Sequence, residues 1–247
     1  MKHLFISGIL LLTLAPPTST TYQLGTKTCT TKFTEKKNAV ATLLSLHDNE
    51  NTAIAAYESL ATNIRFSLLE LQQENQRLFI YQENGKDYIF DPNRIFSDEG
   101  IKKTLKPYDA NTASKIKDFA AAIFKAFVLK NPNKYLISIH NNTDEGPLSI
   151  RDYIKPNKYQ NEAKGVFVPP NMDEDDFFLV TEQEDFDYLK MHKQNVVLQS
   201  DKPTDDGSLS VYCEKNNIPY INIEAQNEHT KIQKEMMKII YTLLKTK

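Results

Sequence analysis

The sequence predicts a three-layer α/β/α sandwich on a mostly parallel mixed sheet, and three observations carry that prediction. Short apolar runs alternate with longer amphipathic stretches along most of the chain, an order that lays helices over both faces of a largely parallel sheet. Residues 39–46 are apolar, rich in Leu and free of Gly and Pro, which reads as a buried strand. Residues 111–130 and the stretch from about 228 onward carry apolar side chains at helical spacing. At 247 residues, 40% hydrophobic and 25% charged, the chain suits one globular domain with a sizeable core.

The amino-terminal end reads differently. Met1-Lys2-His3 is followed by an apolar run over 4–15, too short to span a bilayer and patterned like a secretory signal. Residues 16–20 are the expected processing zone, so 1–20 is assigned to the signal and 21–247 to one domain. A secreted or periplasmic protein with no membrane span in its mature form is the expectation. In that compartment Cys29 and Cys213 either pair or are two small buried hydrophobes. A net charge of -2 with no basic stripe gives no basis for binding nucleic acid.

Residues 22–33 suggest an edge strand and 35–38 a turn. The buried strand then stops at His47, and Glu50 follows. Asn51 and Thr52 are good N-cap residues for a helix whose Ile54, Tyr57 and Leu60 share a face. Residues 66–71, 78–81 and 87–90 read as three short strands separated by polar turns. Asp91-Pro92-Asn93-Arg94 ends the last of them, because proline cannot donate to a ladder. The helix over 111–130 stops at Asn131-Pro132, and its aromatic stripe is core.

A strand over 135–139 again ends in histidine, His140. Asp173-Glu174-Asp175-Asp176 is a solvated loop, with a calcium site as the alternative. Strands are expected at 177–180, 196–198 and 220–223, and helices at 184–192, 208–215 and from 228 onward. The 220–223 strand ends in Glu224, a carboxylate costly at a buried strand edge unless paired or functional. His192 and His229 read as surface residues.

In open α/β sheets ligands bind at the carboxyl ends of the strands. His47 and Glu50 at such an end are half of a possible metal site, or else a strand-end His and a helix-capping Glu. The set His47-x-x-Glu50, Asp91-Pro92-Asn93-Arg94-x-Phe96, His140 and Ile223-Glu224, in that order, resembles the zinc carboxypeptidase superfamily. That superfamily includes metallocarboxypeptidases and the succinylglutamate desuccinylase/aspartoacylase group. The D-x-N-R-x-F piece is the most specific part. The stretch Asp206-Gly207-Ser208 through Tyr212 to Glu224 is similar to the family's lead-in to its catalytic glutamate.

The resemblance implies that His47, Glu50 and His140 bind Zn2+, that Asn93 and Arg94 hold a substrate carboxylate, and that Glu224 is the general base. Arg77, on an expected strand, would match the family's oxyanion-polarising arginine, with an ordinary edge-strand Arg as the alternative. Nothing singles out Tyr153 or Tyr159 as the family's flexible tyrosine. The implied protein is a secreted zinc-dependent amide or peptide hydrolase of carboxypeptidase type, with a zinc-hydrolase-like catalytic domain over 21–247. Its substrate would be a peptide or acyl-amino acid with a free carboxylate. The rivals are an N-acyl amino acid deacylase and an exported zinc-binding protein without turnover. Glu224 argues against the last, since a binder needs no base.

Overall fold

The computed structural model describes residues 17–247 apart from 145 and 147. The apolar run of the expected signal, within 1–16, lies outside the described residues. A nine-stranded mixed sheet carries helices on both faces, the α/β sandwich the sequence predicts.

The chain enters through a hairpin, β1 (Thr18–Leu24) and β2 (Lys27–Thr34). One edge strand was expected here, and the difference lies at Gly25. Its φ of +53° turns the chain, and a Cβ there would meet the Gln82 carbonyl oxygen at 2.2 Å. Next come β3 (Ala41–Ser45), α1 (Asn51–Glu58) and β4 (Phe66–Gln72). A separate two-stranded ribbon follows, β5 (Phe79–Glu83) with β6 (Lys86–Phe90). A short 3-10 turn, Pro92–Arg94, leads to α2 (Asp98–Thr104), which the sequence reading missed. Ser97 caps α2 by accepting from the Gly100 amide.

Helix α3 (Ala110–Lys130) starts where Asp109 accepts from the Thr112 amide at 2.8 Å. It buries Ile116, Phe119, Ile123 and Phe127, each contributing about 1.5–3 kcal/mol by leaving water. The remaining elements are β7 (Leu136–Asn142), β8 (Ala163–Phe167), β9 (Phe177–Val180), α4 (Gln183–Met191), β10 (Val196–Gln199), α5 (Leu209–Lys215), β11 (Tyr220–Gln226) and α6 (Thr230–Lys245). Strand β8 was not expected either.

The strand order is β1-β2-β4-β3-β7-β11-β9-β10-β8. The central run β4-β3-β7-β11 is parallel, and the outer pairs β1/β2, β2/β4, β9/β11 and β8/β10 are antiparallel. The central strands are buried on both faces, so they read as continuous apolar runs rather than alternating ones. Alternate residues still serve opposite cores. Leu44, Leu136 and Tyr220 join the core under α2, α3 and α5. Leu43, Ile137, Ile221 and Ile223 join the core under α1, α4 and α6. By that alternation His140 and Glu224 share the parity of Leu136 and Tyr220, placing them on the α3 side.

Cys29 and Cys213 are free, both buried in the α3-side core, so the structure takes the buried-hydrophobe reading. Burial pushes the Cys29 thiol up to about 12. Among the described residues no helix is long and apolar enough to cross a membrane.

Candidate metal and catalytic site

From β3 the chain turns through α1 into β4 on one side, while β7 lies on the other. His47 follows β3 at this reversal, the place where open α/β sheets leave a crevice. The turn is pinned by Asp48, whose Oδ2 accepts from the amides of Gln73 at 2.6 Å and Asn75 at 2.7 Å. Helix α1 begins at Asn51, with Glu50 in the capping position, so Asn51 and Thr52 lie inside the helix and not at its cap. The Glu50 side chain makes no cap bond and turns inward instead.

His140 and Glu224 sit two residues inside β7 and β11 and face each other in parallel register, whereas strand ends were expected. The strands run on because their polar residues find partners. Asn141 accepts from the Ala53 amide and donates to the Ala225 carbonyl and to Gln233. Gln233 in turn donates to the His140 carbonyl oxygen at 2.9 Å. Helix α6 thereby locks the backbone that carries His140.

Three side chains converge. His47 Nδ1 lies 2.8 Å from Glu50 Oε1, His140 Nδ1 lies 2.9 Å from Glu50 Oε2, and the two Nδ1 atoms are 3.2 Å apart. All three groups are almost fully buried. His47 Nε2 meets Asp91 Oδ1 at 2.8 Å. Burial alone would lower the His47 pKa, but Glu50 and Asp91 outweigh it and raise it to about 9. Burial pushes Glu50 upward, yet the two imidazoles hold it well below the usual carboxylate range. Asp91 is held low in the same way by His47.

This arrangement seeks a cation at its centre. Two imidazole nitrogens and a carboxylate, with ligand atoms all within 4.8 Å of one another, are the nitrogen and oxygen donors that a divalent metal such as zinc accepts from protein. Asp91 supplies the carboxylate that a ligating imidazole usually bonds through its other nitrogen. His140 Nε2 is buried without a partner among the described residues.

Asp91 is the residue that sequence reasoning missed. The available signal was elementary: if one ring nitrogen of His47 faces Glu50, the other needs an acceptor, and Asp91 ends a nearby strand.

Arg77 lies in the bend before β5 rather than on a strand, and its Nη1 donates to Glu50 Oε1 at 2.6 Å. Asn93 and Arg94 sit on the 3-10 turn capped by Asp91, whose Oδ1 also accepts from the Asn93 amide. The Asn93 Oδ1 is engaged by the Leu209 amide at 3.1 Å, tying this turn to the start of α5. Arg94 donates to the Asn93 carbonyl oxygen and lies 3.6 Å from Asp206. Glu224 accepts from Asn222 Nδ2 at 3.0 Å. Burial raises its pKa to about 6, with His140 opposing and Glu50 adding to the rise. The half-buried Tyr153 hydroxyl is pushed up by burial first and by Glu224 next, with Arg94 opposing. Tyr153 lies on the 3-10 turn Ile150–Tyr153, where its ring packs against Tyr159 and Phe177.

A second group lies at the same sheet edge. Asp176 Oδ2 meets His229 Nδ1 at 2.8 Å, and its Oδ1 accepts from the Gln226 amide at 2.9 Å. With Asp173 these form another set of ligand atoms within 4.8 Å, but Asp173 is exposed and His229 half-buried. His229 is thus a latch onto β9 rather than a free surface residue, while His192 is exposed as expected.

No family model matches this chain, and no curated protein matches it. Among solved structures it is similar to a "putative metallopeptidase" from Shewanella baltica OS155, at 11% identity over 93% of this chain and 86% of that one, with a TM-score of 0.44. A protein described in the same words from Shewanella denitrificans OS217 gives 10% identity, coverage of 92% and 83%, and a TM-score of 0.42. A third, from Shewanella amazonensis SB2B, gives 12%, 92%, 85% and 0.37.

Proposed function

We propose that this protein is a metal-dependent amide hydrolase, with zinc as the metal and a carboxypeptidase-type substrate bearing a free carboxylate. One observation carries the reading: the His47–Glu50–His140 set converges on one point while Glu224 stands in register with His140 on the neighbouring strand. His47 and His140 through Nδ1, and Glu50 through its carboxylate, would hold the ion. When bound, zinc supplies a Lewis acid that polarises a carbonyl and acidifies water.

The chain's own residues do the rest. Glu224, with its pKa raised to about 6, is suited to take a proton from the attacking water and return it to the leaving amine. Asp91 fixes the ring of His47 and the tautomer it presents. Arg94 carries a planar fork that fits a carboxylate with two parallel bonds and sets the register of the scissile amide. Arg77, already beside Glu50, brings positive charge to the side where an oxyanion would develop. The basic-then-apolar amino terminus supports an exported protein.

The test is metal content together with turnover on a panel of acyl dipeptides and acyl amino acids, with free and amidated carboxylates. About one zinc per chain and hydrolysis of the free-carboxylate forms are expected. A preference for acyl amino acids over dipeptides would favour a deacylase. Zinc without any turnover would leave a binding protein.

A further inference from the structure

Resting on that reading of Arg77 beside Glu50, we propose that Gln73 is a positioning residue, whose side-chain amide holds the loop that sets the Arg77 guanidinium on the Glu50 carboxylate. The Arg77 side chain is 47% exposed, whereas the carboxylate it reaches is buried. A side chain of that length gives up much rotamer freedom to stay on one partner. Its backbone must therefore be fixed at the right place.

The 73–77 loop leaves the turn between His47 and Glu50 and returns to it. Asp48 receives the amides of Gln73 and Asn75 on one oxygen, and Asn51 Nδ2 donates to Asn75 Oδ1 at 2.9 Å. On the other flank the buried Lys27 pairs with Glu74 at 3.1 Å. Glu74 and Asn75 have φ of +64° and +57°, and the loop lies outside helix and strand, so no ladder carries its carbonyl groups. The Gln73 side chain takes that place. Its Nε2 donates to the carbonyl oxygens of Gln76 at 2.9 Å and of Arg77 at 3.3 Å. Arg77 then closes the circuit on Glu50.

Two carbonyl oxygens are bonded only by the NH2 end of an amide, which fixes how Gln73 points. The consequence is a cost. Gln73 is 1% exposed, and its Oε1 is buried with no partner among the described residues. An acceptor in that state opposes folding. The side chain thus forgoes a bond at its oxygen to make two at the backbone that carries Arg77.

The experiment measures kcat and KM on acyl dipeptides, zinc affinity by chelator competition, and thermal melting. It uses the full-length protein with Gln73→Met, Arg77→Ala and both together. Methionine keeps the unbranched shape, loses both bonds and removes the unpaired oxygen, so melting should stay within about 4 °C of wild type. Arg77→Ala should lower kcat about 100-fold with KM within about threefold, and Gln73→Met should lower kcat about tenfold in the same pattern. In the Arg77→Ala background, Gln73→Met should change kcat by less than about twofold, because nothing is left to position. Zinc affinity reads the Glu50 contact without turnover. It should weaken about tenfold in each single variant and no further in the double. Gln73→Asn, one methylene short of both carbonyls, should behave like Gln73→Met and replaces it if methionine does not fold. Losses that add in the double variant, or wild-type kcat and zinc affinity in the Gln73 variants, overturn the proposal and leave the hydrolase reading intact. So does failure of both Gln73 variants to fold, which would make Gln73 a residue of the fold alone. Zinc without turnover in the wild type overturns the hydrolase reading, while the zinc measurements still decide the role of Gln73. A wild type with neither overturns both.

Discussion

Two groups of acids and histidines lie at one edge of the sheet, and their carboxyl pKa values move in opposite directions. Around His47 and His140, Glu50 and Asp91 are held low. Around the 173–176 loop, Asp175 rises to about 6, by burial first and then by neighbouring carboxylates, and Asp176 is also raised by burial, with the Gln226 amide and His229 opposing. Burial pushes the carboxyls upward in both groups, and the difference between them is counter-charge. The first group sets two carboxylates against two imidazoles and the Arg77 guanidinium. The second gathers Asp144, Asp173, Glu174 and Asp176 around Asp175, with His229 paired to Asp176 and Arg151 to Glu174. Ligand-type residues within reach of one another are therefore not equivalent. A buried, balanced set with an outer carboxylate on its histidine is built for a metal, whereas a half-exposed acidic set with one histidine latch holds two elements together.

The comparison can be broken most sharply at Glu224, which belongs with the first group alone. Glu224→Gln keeps shape and hydrogen bonding but cannot accept a proton. It should retain zinc and fold normally while kcat falls by roughly 10²–10⁴. Unchanged turnover would remove Glu224 from the chemistry, and lost zinc would make it a ligand.

The next effect concerns the outer carboxylate. Asp91→Ala frees the His47 ring, and zinc affinity should weaken by about 10- to 100-fold. Competition against a chelator of known affinity measures this, and an unchanged affinity would deprive Asp91 of its role.

The second group sharpens the contrast. His229→Ala removes the latch on Asp176 and should cost about 1–3 kcal/mol of stability, read by denaturant unfolding. Zinc content and turnover should stay at wild-type levels. Loss of zinc in this variant would erase the distinction drawn between the groups.

The smallest effect is a pH-dependent gain. Asp175 has a folded pKa of about 6 against an ordinary value of 3.8, so folding favours its protonated form. Its penalty is absent below about pH 4, grows as pH rises through 6 and is full above that. Asp175→Asn should therefore stabilise the protein at pH 7 by about 1 kcal/mol after solvent screening, and by nothing at pH 4. Equal melting shifts at both values would show that the charge is not the cause.

The sequence alone determined the alternation of strands and helices, the buried run into His47, the amphipathic α3 and α6, and the residue types of the candidate site. These are legible because hydrophobic period and turn chemistry are local, repeating along the chain within a few residues. It missed the Gly25 turn, α2 and β8. Gly25 punctuates a run that otherwise looks like one strand, and β8 is a short, half-exposed edge. Only the tertiary structure decided that Asp91 serves His47, that Arg77 reaches Glu50, and that His229 closes on Asp176. Each of those pairings joins segments far apart in the chain. They depend on which strands become neighbours and in which register, as with Glu224 opposite His140. The electrostatic difference between the two groups has the same origin, because whether a carboxylate is held low or pushed up depends on the charges that folding brings beside it.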